Sequence, residues 1–153
     1  MSVPVLMYHH VLEKSGFIAS SVDEFRSHMK FLAENSYKTL SINEFIAYKK
    51  GELEVPKKSV CITFDDGWMD NYIYAYPIVK EFGLKANIFI ITGWIEAAQK
   101  AHKMRPASFL NVDHNECKRL APSRPQDVIL NLEQIDKMSD CFYFHSHTHG
   151  HFD

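Results

Sequence analysis

Val60 to Gly67, VCITFDDG, opens as an apolar run with β-branched residues and stops on two adjacent carboxylates and a glycine. A run of this kind reads as a buried strand of a parallel sheet, covered on both faces. A second stretch repeats the arrangement downstream: Cys141 to Phe144 is apolar and empties into His145, His147, His149 and His151 at alternate positions. In parallel α/β sheets the side chains at the carboxyl ends of strands converge on one face, so Asp65, Asp66 and the histidines are expected to meet despite their separation. Carboxylate with imidazole suits zinc, or cobalt, nickel or iron, better than magnesium or calcium, which take all-oxygen shells. The expectation is one hydrolytic divalent-metal site.

The rest of the chain reads as strands alternating with capped helices. Val3 to Tyr8, Ser59 to Phe64, Ala86 to Thr92 and Cys141 to Phe144 are expected as neighbouring parallel strands, with Tyr37 to Leu40 as a brief one. Ser21 to Glu24, Ser41 to Glu44 and Asn131 to Gln134 have the form of capping boxes at helix starts. Asp70 to Phe82 is helical in character, with Pro77 forcing a kink or a fresh start. Glu96 to Ile129 shows no clear period and contains Pro106, Pro122 and Pro125. It is expected as a long polar loop insertion, a lid or excursion at about 96–130.

With 153 residues, 46% apolar and 13% aromatic, the chain is long enough for one domain with a single core, 1–153. Its 17 basic and 19 acidic residues give a net charge of −2 with no basic stripe, which argues against nucleic acid as a partner. Three cysteines, Cys61, Cys117 and Cys141, read as free structural thiols of a reducing compartment. The opening MSVPVLMYHH has no basic region and too short an apolar run for a signal peptide, and no stretch is long enough to span a membrane. A soluble, cytoplasmic protein is expected.

The aspartate pair has an ordinary alternative, since Asp-Gly is a common turn and a strand-end carboxylate often caps a helix. Its position at a strand exit, with Gly67 allowing a sharp bend, favours chemistry. Among the histidines, His147 with His151 and His145 with His149 have the same spacing, each pair able to share an ion from one face of a helical turn. Spacing alone does not choose between them. His114 and Cys117 have ligand-like spacing in a polar segment, a weaker signal. Trp68 follows the strand end and is a candidate for stacking on a sugar ring, with core packing as its alternative.

TFDDG at Thr63 to Gly67, SHTHGH at Ser146 to His151 and the opening VPVLMYHHV together resemble the polysaccharide deacetylases of the NodB-homology type, carbohydrate esterase family 4. WMDNYIYAYPIVKEFGLKANIFI also looks like the segment after that family's aspartates, so the resemblance runs over essentially the whole chain. It implies a distorted (β/α) barrel and metal-dependent hydrolysis of N-acetyl, less often O-acetyl, groups on an amino-sugar polymer. Carried over residue by residue, Asp65 is the catalytic base, Asp66, His147 and His151 hold the metal, zinc foremost, and His9 of the Tyr8 to Val11 pattern lies on the substrate side. A phosphoesterase is disfavoured because no glycine-rich or Lys/Arg cradle accompanies the aspartates.

Members of that family carry further motifs after the histidines, including a late histidine acting as general acid, whereas this sequence stops at Asp153. The barrel is therefore expected to be incomplete at its C-terminus, with an open edge through which copies self-associate. An inactive metal- or sugar-binding fragment is the alternative to an active hydrolase.

Overall fold

In the computed structural model, residues 2–151 are described. A parallel sheet carries β1 (Val5–Tyr8), β5 (Ser59–Asp66), β6 (Ala86–Ile90) and β7 (Phe142–Ser146) in the spatial order β1-β5-β6-β7. Every one of these neighbours pairs parallel, as expected from the alternation of apolar runs and capped helices. The short β4 (Lys38–Thr39) joins the start of β5, and a separate ribbon pairs β2 (His10–Leu12) with β3 (Ala19–Ser21).

All three expected capping boxes close, each with the side chain of the N-cap and that of the third helical residue bonded reciprocally to backbone. They start α1 (Val22–Glu34), α2 (Ile42–Lys49) and, later in the chain, α6 (Leu132–Met138). After the aspartates a π-helical turn, Asn71–Ala75, runs into α3 (Tyr76–Glu81), where Pro77 takes a first-turn position that needs no amide donor.

The two faces of the sheet differ. Val60, Ile62, Phe64, Ile88 and Phe142 are buried in the main core with Phe25 and Met29 of α1 and Ile78 and Val79 of α3. The alternate residues form the other face, and the register places Val5 beside Cys61 and Met7 beside Thr63 there. Val5 is 48% and Met7 65% exposed, and Tyr143 on the same face is also exposed.

The segment expected as a loop insertion is largely helical. α4 spans Thr92–Met104 and α5 spans His114–Leu120, followed by a 3-10 turn at Pro125–Asp127. Ile95, Ala98, Cys117, Leu120, Val128, Ile129 and Leu130 from this region lie in the core. The sequence concealed α4 because its N-cap, Ile91, makes no side-chain cap bond. Its first amides are satisfied from a distant segment instead: Thr92 N donates to Thr148 O at 3.2 Å and Gly93 N to His149 O at 3.0 Å. Among the described residues no helix is long and apolar enough to cross a membrane.

Candidate metal centre

Parallel register aligns the strand exits: Tyr8 lies beside Phe64, Asp66 beside Ile90, and Ile90 beside Ser146. His9, the aspartate pair and the histidine loop therefore leave the sheet at one end. At Asp66 the backbone turns left-handed, φ 79°, and Gly67 follows at φ 89°. The Asp66 conformation costs roughly 1–3 kcal/mol for a residue with a side chain, although aspartate tolerates it better than most. At Gly67 a Cβ would meet Ile90 Cγ2 at 3.0 Å in addition to the backbone penalty.

Asp66 is buried, and its two carboxylate oxygens have different surroundings. Oδ2 accepts the indole N–H of Trp68 at 3.0 Å. Oδ1 is buried with no hydrogen-bond partner, and it faces His147 Nε2 at 3.8 Å and His151 Nε2 at 3.7 Å. One ligand atom from each of the three residues falls within 4.8 Å of the others, the one such trio among the described residues. Metal–ligand distances of about 2.0–2.2 Å in a tetrahedral shell put neighbouring ligand atoms about 3.3–3.6 Å apart, so this donor set fits a single ion after small side-chain movements. An unpaired buried carboxylate oxygen is otherwise costly, by about 1–3 kcal/mol or more.

The histidine segment is not a helical turn, in contrast to the expectation. Residues 147–151 form an irregular loop with Thr148 at φ 64° and His151 at φ 46°. It is anchored by His147 N donating to Ile90 O at 2.8 Å, by the two α4 amides, and by His151 N donating to Thr148 Oγ1 at 3.2 Å. The competing pair does not converge on Asp66. His145 lies inside β7 with its ring against Phe89, centroids 5.2 Å apart, and His149 Nδ1 is 3.0 Å from Thr92 Oγ1.

Asp65, half-buried, lies 3.9 Å from His9 Nε2. Burial pushes its carboxyl up from the usual range, while His9 and His147 pull it down. That places a carboxylate of increased basicity next in sequence to Asp66, with His9 as its near neighbour. Of the two readings for Trp68 the structure takes core packing and not sugar stacking: the side chain is fully buried, stacked on His10 with centroids 4.8 Å apart, and has no face free for a sugar. Its part is to hold Asp66. His114 and Cys117 do not form a metal pair, since His114 Nδ1 meets His10 Nε2 and the Cys117 thiol, its pKa pushed up to about 12 by burial, points to Val112 O. The sequence reading missed Trp68 as a carboxylate anchor and Gly93 as the seat of the histidine loop; for the second, a glycine directly after a strand exit was the available signal.

A family profile described as polysaccharide deacetylase matches residues 52–153. YxkH of Bacillus subtilis, named as a candidate polysaccharide deacetylase, is 33% identical over 156 residues, covering 95% of this chain and 54% of its own length. A poly-β-1,6-N-acetyl-D-glucosamine N-deacetylase of Staphylococcus aureus is 46% identical over 77 residues, 49% of this chain and 26% of that protein. The structure of a Streptococcus pyogenes deacetylase, solved with acetate, superposes with a TM-score of 0.73 at 28% identity, over 99% of this chain and 58% of the other. The chain thus spans about half the length of the first of these relatives and of the structural neighbour. The shared architecture bears out the expected α/β, NodB-type barrel fold, and with the profile match it shows that this chain belongs to the polysaccharide deacetylase family.

Proposed function

We propose that the chain carries the hydrolytic centre of a metal-dependent deacetylase that removes N-acetyl groups from an amino-sugar polymer. The observation that carries this reading is the buried, unpartnered Asp66 Oδ1 facing two imidazole Nε2 atoms, with the Asp65 carboxylate alongside. Asp66, His147 and His151 would hold one divalent ion, zinc foremost, with cobalt, nickel and iron as alternatives for the same donors. A bound ion of this type polarises an acyl oxygen and lowers the pKa of water from about 15.7 toward 7.

Asp65 is the general base. Among the described residues its carboxylate has no competing ion-pair partner closer than His9 Nε2 at 3.9 Å, and burial raises its proton affinity. Trp68 keeps Asp66 Oδ2 occupied so that Oδ1 alone is presented to the ion. His9 is positioned to meet substrate beside Asp65. The name of the Staphylococcus aureus relative supports an N-acetylglucosamine polymer as the substrate class.

The test separates the two aspartates. Chain loaded with zinc is measured for metal content and for acetate release from N-acetylglucosamine oligomers, as wild type, Asp66→Ala and Asp65→Asn. Asp66→Ala should lose tight metal binding; Asp65→Asn should keep it and lose turnover. Equal loss of metal in both variants would sink this assignment.

A further inference from the structure

On the far side of Trp68 from Asp66, a chain of polar groups runs from the core to the surface. Asp70, 2% exposed, accepts through Oδ1 from Val11 N at 2.8 Å and from the Asn71 amide at 3.1 Å. Its Oδ2 meets His10 Nδ1 at 2.8 Å, and the fully buried His10 places Nε2 at 3.1 Å from His114 Nδ1. A carboxylate only accepts, so His10 donates from Nδ1 to Asp70. The contact of His10 Nε2 with His114 Nδ1 fixes the orientation of the His114 ring. Burial, then the neighbouring His10, pushes the His114 pKa down, which keeps the ring neutral.

His114 lines a cleft of about 320 Å³, within the size range of small-ligand sites. The loop between β2 and β3 also lines it and presents Phe17, 72% exposed, whose ring makes an edge contact with that of His114 at 61° and 5.9 Å between centroids. Asn111 and Asp113 add polar groups to the lining. Gly16 and Ala19 line both this cleft and the groove that contains His9, so the two are neighbours across the β2–β3 loop, and His9 in turn lies 3.9 Å from Asp65. An exposed aromatic ring next to an imidazole matches the two faces of a pyranose: its C–H face lies on the ring, and a hydroxyl, which both donates and accepts, bonds the imidazole nitrogen.

We propose that this cleft is a second sugar subsite, which stacks one residue of an N-acetylated hexosamine polymer on Phe17 and binds it through His114 Nε2 while another residue lies at Asp65. The proposal rests on the deacetylase reading for the identity of the polymer, and its test keeps the two apart. Binding of β-1,6-linked N-acetylglucosamine hexamer, and of the monomer, is measured calorimetrically on the zinc-loaded chain as wild type, Phe17→Ala and His114→Phe, with zinc affinity measured in parallel. Phe17→Ala removes an exposed loop side chain and leaves the fold intact, which makes it the deciding variant. Hexamer affinity should fall about tenfold, with monomer and zinc affinity unchanged, and His114→Phe should follow the same pattern. Unchanged hexamer affinity in Phe17→Ala, equal loss for monomer and hexamer, or no hexamer binding by wild type overturns the subsite. Hexamer binding that needs Phe17 without any acetate release by wild type overturns the deacetylase reading and leaves the subsite standing.

Discussion

The indole N–H of Trp68 donates to Asp66 Oδ2 at 3.0 Å, two residues along the chain and across a left-handed turn. This bond fixes which oxygen of Asp66 faces the histidines. Trp68 in turn is held by stacking on His10 and by contact with Trp94, centroids 5.3 Å apart. Trp68→Phe keeps most of the apolar packing and deletes the donor. Zinc affinity should drop about 10–100-fold, as for other partners of a metal ligand, while chelator competition and far-UV circular dichroism distinguish this from unfolding. Unchanged zinc affinity would show that Asp66 is oriented by other means.

Gly93 is the point where α4 meets the histidine loop. A Cβ built there would lie 2.6 Å from His149 O and 3.3 Å from the His149 ring, so the backbone of the loop would have to move. Gly93→Ala should therefore weaken zinc binding although residue 93 itself is no ligand, and should free the Gly93 N to His149 O bond for hydrogen exchange. Gly16→Ala serves as the control, because a Cβ there meets nothing within 4 Å. Equal zinc affinity in the two variants would refute the seat assigned to Gly93.

The strands, the aspartate pair and the histidine run were legible because their signals are local or repeat at strand exits: apolar runs, TFDDG, and the alternate histidines, among which spacing did not single out His147 and His151. What stayed hidden is long-range. α4 lacked a cap residue because its donors are satisfied by Thr148 and His149, more than fifty positions away in sequence. Asn87 is a polar residue within the otherwise apolar strand segment Ala86 to Ile90. In the structure it is fully buried and bonds Ile42 N at 2.7 Å, Leu40 O at 3.0 Å and Ile62 O at 3.1 Å, closing the gap where β4 gives way to β6. Nothing in ANIFIIT reports those partners. Asn87→Leu strands two buried backbone carbonyls and a part-buried amide and should cost about 2–4 kcal/mol of unfolding free energy by urea titration; a loss under about 0.5 kcal/mol would mean water or side-chain shifts replace them.

Acid should loosen the segment between α4 and α6. Asp127 is fully buried and accepts from Ser108 N at 2.8 Å, with Arg105 and Arg124 both paired to it. Burial pushes its carboxyl up, but the Ser108 amide and the two guanidinium groups outweigh it, and the net displacement is downward. A carboxyl lowered on folding stabilises the protein above its unfolded value of about 3.9, and that contribution is lost as pH falls from there through the lower folded value. Wild type should thus lose stability to urea below about pH 4. Asp127→Asn should be less stable at pH 7 and should lose less on acidification. Parallel pH profiles for the two proteins would remove Asp127 from the acid response.

Self-association is the last expectation, and it follows from the sheet. Among the described residues β1 pairs with β5 alone, so its other edge carries unpaired backbone donors and acceptors. The same strand shows Val5 and Met7 on the open face, 48% and 65% exposed, while Leu6 and Tyr8 line an apolar groove with Phe31, Leu32 and Tyr37 beside α1. An unpaired edge flanked by apolar surface on both sides is the arrangement through which sheets add a strand from another chain. The 153-residue chain should form a dimer whose fraction rises with concentration in multi-angle light scattering. Met7→Lys, a charge on an exposed edge position, should shift it to monomer without altering zinc affinity, because Met7 touches none of the ligand trio. A wild type that stays monomeric across the concentration range would show that this edge is adequately protected as it stands.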